Sequence, residues 1–339
     1  MKKPVLTIYT CSDDLPEMEC SNFFHSRSLF MSLEQTRRQQ PYMVVVAGGG
    51  GRVLGHLLAA VRHRNAWLAP CISAHCRILG EGEFADDLSC GDGEGEYTRQ
   101  ELFGMMLDAL VARVKNRVLY VEISKLSAKM FGYRLLRQAG FFPVHWMSIH
   151  NSLHSMPPEE RLSEKMKKRI ERAYRKGVVT AEVEGGEELA AFCTLLRRHN
   201  RFKLKRYIPD SSFFSSLART GHGRLFVTRY RGHVVGCCAC VYSEGDAYLW
   251  YFAFLRKSFV TVHPDVMTVW HAIDHAHKHG YAHIHFMDVG LPFEKNPFRD
   301  FILRFGGKPV STYRWFRFSI RWLNGMLAWV YRVRLIINF

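Results

Sequence analysis

The chain has 339 residues, more than one hydrophobic core ordinarily organises, so two domains are the first expectation. Its 47% hydrophobic and 13% aromatic content excludes an intrinsically disordered chain. A formal charge of +16 implies an anionic partner: nucleic acid, anionic lipid headgroups, or a phosphate-bearing small molecule.

Among the nine cysteines, Cys237 and Cys240 stand at C-x-x-C spacing, but with Cys238 they share one apolar run, so they read as reduced core residues. The opening MKKPVLTIYTCSDD has too short an apolar run for a signal peptide. No stretch reaches the roughly 20 apolar residues of a membrane span, so the cytoplasm is the expected compartment.

In chain order, VLTIY reads as a strand and Phe23 to about Gln39 as a helix. Two strands, 42–47 and 52–61, follow with Gly48–Gly51 between them as a hairpin turn; a phosphate loop would need Gly-Lys-Ser/Thr and a following helix. The acids of CGDGEGE (90–96) would repel phosphate, so it reads as a solvated loop. A helix is expected over 99–115, a strand over 117–123, a helix over 126–138 stopped at Gly140, and a strand over 141–149.

Pro157 and Pro158 mark the expected domain boundary. Beyond them come helix 159–176, strand VVTAEV, helices 186–201 and 210–219, and three strands at 224–230, 233–242 and 246–254. Helix 264–279 starts on Pro264 and is followed by strand 283–289, helix 297–305 and strand 309–318. The expected organisation is 1–156, 157–318 and a basic tail, 319–339.

The halves repeat each other. RVLGHLLAAV (52–61) aligns with HVVGCCACVY (233–242), glycine fourth in each, and LLRQAGFFPV (135–144) aligns with ILRFGGKPV (302–310). The strands between carry an acid at their ends, Glu122 and Asp288.

The repeated unit, antiparallel strands, helix, strand, helix, strand, resembles the GNAT acyltransferase core. RLSEKMKKRIERAYRKGVVTAEV (161–183), the stretch 263–290 and FRDFILRFGGKPV (298–310) are similar to the second domain of the Fem family of peptidoglycan-bridge aminoacyltransferases. The resemblance spans roughly 22–318. It implies an α/β (α+β) chain of two tandem GNAT-type acyl-CoA N-acyltransferase domains, each a mixed, mostly antiparallel sheet flanked by helices. Two departures point to the looser FemAB-like group. Ile302 stands where the closing motif commonly carries lysine, and no long helical hairpin is inserted.

The resemblance places a donor's amide arm along strand 246–254 and its pyrophosphate near 255–265, where Arg256 and Lys257 supply charge. The usual Gln/Arg-x-x-Gly-x-Gly/Ala loop is missing there. His263 and Asp288 are the expected catalytic groups, a base able to titrate near neutrality and an acid able to orient an amine. Lys203, Lys205, Arg206 and Tyr207, with Tyr251 and Arg299, are the expected acceptor contacts. Alternation along 246–254 sets Tyr248 and Trp250 on one face and Leu249 and Tyr251 on the other. The run His275, His277, His279, His283 and His285 puts only His275 and His279 on one helix face without an acid or cysteine, so no metal is expected.

The segment 316–339 carries four arginines, two tryptophans and no acid, which suits a membrane interface as well as packing back on the protein. The leading expectation is transfer of an acyl or aminoacyl group from a thioester or ester to an amine of an envelope-related or polar-lipid precursor. No tightly bound cofactor is expected, with acyl-CoA or aminoacyl-tRNA as co-substrate. Two alternatives stand: a binding protein on a degenerate tandem fold, and a nucleic-acid binder supported by charge alone.

Overall fold

The structure, a computed structural model, describes residues 4–63, 69–86, 88, 97–124, 131–201, 207–255, 258–287, 289–292 and 294–337. In chain order the elements are β1 (Val5–Tyr9), α1 (Arg27–Glu34), β2 (Gln39–Ala47), β3 (Val53–His63), α2 (Pro70–Ser73), β4 (Ala74–Leu79), β5 (Glu83–Phe84), α3 (Arg99–Val114), β6 (Tyr120–Ser124), α4 (Tyr133–Gln138) and β7 (Phe142–Ser152). They continue with α5 (Glu164–Arg175), β8 (Val179–Glu182), α6 (Gly185–Asn200), α7 (Ser211–Arg219), β9 (Gly223–Tyr230), β10 (His233–Ser243) and β11 (Asp246–Phe254). The last are α8 (Pro264–Lys278), β12 (His283–Phe286), α9 (Pro297–Leu303), β13 (Lys308–Phe318) and α10 (Arg321–Ile337).

The chain divides into two compact units. Unit 1 is Met1–Trp146 with Thr312–Phe339, and unit 2 is Met147–Ser311. The division falls within β7 and β13, so the chain's last strand and helix fold with its first half.

In unit 1 the strand order is β1-β2-β3-β4-β6-β13, antiparallel except for β4 beside β6. Thr98 and Glu101 form a reciprocal capping box that starts α3. Leu102, Phe103, Met106, Leu107, Leu110 and Val114, at helical spacing, are buried with Val44, Leu57, Ile78 and Ile123 of the sheet. The β2–β3 turn closes through Gly48 and Gly51, whose amides donate to the Arg52 and Gly48 carbonyls at 2.9 and 3.2 Å. The single helix expected over Phe23–Gln39 is shorter. Asn22 caps a 3₁₀ turn over Phe23–His25, Ser26 caps α1, and Arg38 at φ 64° turns the chain into β2.

In unit 2 the order is β8-β9-β10-β11-β12-β7, again with one parallel pair, β11 beside β12. The two sheets therefore repeat one plan. In each, the strand following the helix after the parallel pair is supplied by the other repeat: β13 closes on β6, and β7 on β12. Gly140 and Gly306, matched in the sequence repeat, both end their helices in the left-handed region, at φ 83° and 81°.

The core of unit 2 is α8 against the sheet, with Val266, Met267, Val269, Trp270 and Ile273 buried among Cys238, Cys240, Leu249 and Phe286. Gly236 lets that helix approach, since a Cβ there would stand 2.1 Å from Thr268 Oγ1. The Thr268 hydroxyl lies 2.7 Å from Thr228 Oγ1, which lies 2.9 Å from Thr180 Oγ1, a polar rung through an apolar layer. Cys237, Cys238 and Cys240 are fully buried, and burial pushes the thiols of Cys237 and Cys238 far up, so these thiols are inert packing groups.

Helix α10 joins the two readings of the tail. Asn324 donates to the Gly140 carbonyl and accepts from the Phe318 amide, and Tyr331 stacks on Phe142. The opposite side carries Trp322 (71% exposed), Met326 and Trp329 (66%), with Arg321 and Arg332 exposed beside them. Among the described residues no helix is long and apolar enough to cross a membrane.

Candidate active site

Strand β11 outruns its parallel neighbour. Among the described residues, pairing with β12 covers Ala247–Ile284, Tyr248–His285 and Leu249–Phe286, with the Met287 amide also donating to the Leu249 carbonyl at 3.3 Å, while β11 continues to Phe254. The same position carries a β-bulge. Ala239 pairs with Tyr251 and Cys240 with Leu249, leaving Trp250 outside the β10–β11 register.

The bulge corrects the alternation expected from sequence. Ala247 and Leu249 face the α8 layer, and the next residue to do so is Phe252. Trp250 and Tyr251 both turn to the other face, where Phe213 meets Trp250 edge-on at 5.7 Å and Phe214 meets Tyr251 at 5.2 Å. One extra residue re-aims every side chain beyond it, a feature common beside active sites.

Beyond the last β11–β12 pair, Phe252 lies near α9, with its ring 5.8 Å from Phe298 and 6.3 Å from Phe301. Ile302 is fully buried in this core. The α9 start is fixed by Asn296, whose Oδ1 accepts from the Phe298 and Arg299 amides and whose Nδ2 donates to the Val289 carbonyl at 2.7 Å. Arg299 donates to the carbonyls of Leu291 and Glu294, each at 2.7 Å. Its guanidinium thus fastens the loop that leads from β12 to α9.

His263 occupies the N-cap of α8 at φ 47°, and its carbonyl accepts from the Met267 amide at 3.0 Å. A left-handed non-glycine residue is costly and is found where the surroundings dictate it. Burial lowers its pKa, the α5 cation Arg169 adds to that, and Asp265 opposes, so the ring is held neutral. Tyr251 is buried at 3% exposure, and Tyr207 is half-buried. Asp288, Arg256, Lys257, Lys203, Lys205 and Arg206 lie outside the described residues.

Sequence reasoning passed over His199. At the end of α6, its Nδ1 stands 3.1 Å from the Phe254 carbonyl, and its ring packs 5.0 Å from Phe254 at the far end of β11. The histidine run does not gather on one ion. His275 and His279 stack at 4.0 Å, whereas His283 and His285 each donate to one oxygen of Asp246 at 3.0 Å.

Among the described residues, unit 1 shows no counterpart to the overhang. Its parallel pair, β4 and β6, stays in register from His75–Tyr120 to Leu79–Ser124, and the Gly80 amide adds a bond to the Ser124 carbonyl at 2.8 Å.

Residues 160–295 match the family described as an acetyltransferase (GNAT) domain. Among solved structures, FemX aligns over 94% of this chain and 96% of its own, at TM-score 0.60 and 12% identity. The C-terminal domain of a putative lysylphosphatidylglycerol synthetase from Agrobacterium fabrum aligns over 90% of this chain and 92% of its own, at TM-score 0.57 and 11% identity. A tandem GNAT protein from the clavulanic acid biosynthesis pathway aligns over 87% and 88%, at TM-score 0.51 and 12% identity. No curated protein matches the chain. The shared property at these identities is the fold, two GNAT-type units in tandem.

Proposed function

We propose that the chain is an N-acyltransferase or aminoacyltransferase whose donor lies along the overhang of β11 in unit 2. The observation that carries this reading is the coincidence of two features at one place: β12 pairing ends at Leu249, and the bulge falls at Trp250. A strand edge that outlasts its parallel neighbour offers backbone amides and carbonyls to an extended amide arm, and a bulge re-aims an amide toward a developing oxyanion. The ladder of unit 1 stays closed, so that unit is assigned a supporting role.

The donor is an acyl-CoA or an aminoacyl-tRNA, with Arg256 and Lys257 as its phosphate contacts. The acceptor amine attacks the thioester or ester carbonyl and gives up a proton to Asp288 or His263. The tetrahedral oxyanion then collapses and expels the thiolate or the ribose oxygen, which is protonated as it leaves. Asp288 stands between Met287, which follows β12, and Val289, whose carbonyl accepts from Asn296 Nδ2. Lys203, Lys205, Arg206 and Tyr207 are assigned to an anionic acceptor.

The acceptor class proposed is an envelope precursor or polar lipid that carries an amine. Lysylphosphatidylglycerol in the name of one solved neighbour and the exposed Trp322–Met326–Trp329 face of α10 support this choice. Arginines beside exposed tryptophans on a chain of net charge +16 fit an anionic lipid surface, which would make the protein peripheral to the inner membrane.

The test is incubation of the purified chain with acyl-CoA donors or charged tRNA and a lipid or envelope extract, read by mass spectrometry. Donor-dependent acylated product is expected. If no donor is consumed while one still raises the melting temperature, catalysis is overturned in favour of a binding role.

A further inference from the structure

Unit 1 holds a cluster that the transfer reaction does not use. Cys20 Sγ, His56 Nε2 and Glu83 Oε2 come from three separate segments, and all lie within 4.8 Å of one another. Cys20 Sγ stands 2.8 Å from Glu83 Oε2, and His56 Nε2 stands 3.9 Å from the same oxygen. We propose that these three side chains bind a divalent transition-metal ion, zinc foremost, which ties the loop before α1 to β3 and β5.

His56 carries the argument. It projects from β3, is 2% exposed, and its Nε2 has no hydrogen-bond partner. A buried ring nitrogen left in that state is unfavourable unless something coordinates it. The ring also hydrogen-bonds the backbone of His25, the arrangement by which a metal-ligating histidine fixes its tautomer and orientation.

Glu83 is oriented in the same way. One carboxylate oxygen accepts from the Ser21 amide and hydroxyl, and the other accepts from the Asn22 amide at 3.2 Å.

The spacing and chemistry suit zinc. Ligand atoms on a tetrahedral zinc stand about 3.3–3.5 Å apart, given bonds near 2.0 Å to nitrogen and oxygen and 2.3 Å to sulfur. The distances of 2.8 and 3.9 Å bracket that range, so small side-chain shifts close the site. A thiolate, imidazole and carboxylate together select zinc over calcium or magnesium, which take oxygen ligands. Coordination releases the Cys20 thiol proton to solvent, and water completes the fourth position. Cys20 also differs from the strand cysteines: it is half-buried, whereas Cys76, Cys237, Cys238 and Cys240 are buried.

The test uses the full chain, stripped by a strong chelator and then equilibrated with zinc in a weakly chelating buffer, with metal counted by mass spectrometry. About one zinc per chain is expected, with a rise in melting temperature. Cys20→Ser, His56→Asn and Glu83→Gln should each weaken binding at least tenfold, while Cys11→Ser should not. Because His56→Asn lies in the core and can misfold, cobalt is the second readout. Cobalt bound to the unmodified chain should show a thiolate charge-transfer band that Cys20→Ser abolishes. No zinc retained against the weak chelator, a cobalt complex without that band, or unchanged binding in Cys20→Ser would overturn the site.

Discussion

Arg314 Nη1 donates to Glu122 Oε1 at 3.0 Å in the interior of unit 1. Glu122 also faces Arg77 across the β4–β6 ladder, with Arg77 Nε at 3.7 Å, and the Arg314 guanidinium sits 3.9 Å over the Trp146 ring. The acid that corresponds to Asp288 in the repeated sequence is therefore engaged by two cations. Glu122 therefore braces the sheet of unit 1, while its counterpart in the repeat, Asp288, is the acid proposed above for the transfer.

Removing that brace should be costly. Glu122→Ala leaves two guanidinium groups in a largely buried site without their counter-charge, and the expected destabilisation is about 3–5 kcal/mol. Chemical denaturation followed by near-UV circular dichroism measures it. A loss below about 1 kcal/mol would show that the cluster is solvated in solution.

Asp288→Asn keeps size and polarity but cannot take a proton. With Asp288 as the base, kcat should fall by roughly 10²–10⁴-fold with little change in melting temperature. Steady-state kinetics on the product found by mass spectrometry decides it. A fall confined to His263→Gln would move the base to the N-cap of α8. Arg256→Ala should instead raise KM for the donor and leave kcat close to its starting value.

The frame of both units was legible because apolar alternation and glycine stops are local signals. The repeat of LLRQAGFFPV as ILRFGGKPV reappears as two helices ended by left-handed glycines at 140 and 306. The bulge at Trp250 was not legible. An uninterrupted apolar run such as DAYLWYFAF carries no mark of where one residue drops out of register, because the bulge is fixed by the neighbouring strand. His199 was missed for a similar reason: a histidine that follows two arginines at a helix end reads as solvated until Phe254 is brought beside it. Cys20, His56 and Glu83 have no spacing motif, since β3 and β5 bring them together only through pairing.

Acid should destabilise unit 2 through His275. Burial, then the stacked His279 and nearby His271, push its pKa down to about 4, and its Nδ1 lies 2.9 Å from the Tyr242 hydroxyl. The unfolded ring titrates near 6.5, so the native state binds fewer protons between those values. Its contribution to stability is complete above about pH 6.5 and is lost as the pH falls from there toward 4. For a half-buried ring the loss is on the order of 1–2 kcal/mol, or a few degrees in melting temperature. Melting curves from pH 7.5 to 4.5 should show this slope, and His275→Gln should flatten it. An equal slope in the variant would assign the effect to other groups.

The exposed face of α10 gives a prediction independent of catalysis. Trp322 and Trp329 are 71% and 66% exposed, so replacing both with alanine removes little packing and should leave the melting temperature unchanged. Seating two indole rings in the interface is worth a few kcal/mol at most, because each is only partly transferred from water. The double variant should therefore bind vesicles containing phosphatidylglycerol roughly 10–100-fold more weakly in a sedimentation assay. Binding by the unmodified chain should also weaken as salt rises, since Arg321 and Arg332 flank the same face. Equal binding to neutral phosphatidylcholine vesicles would remove the electrostatic part of the argument, and no binding to either would remove the membrane from the proposal while leaving the β11 site intact.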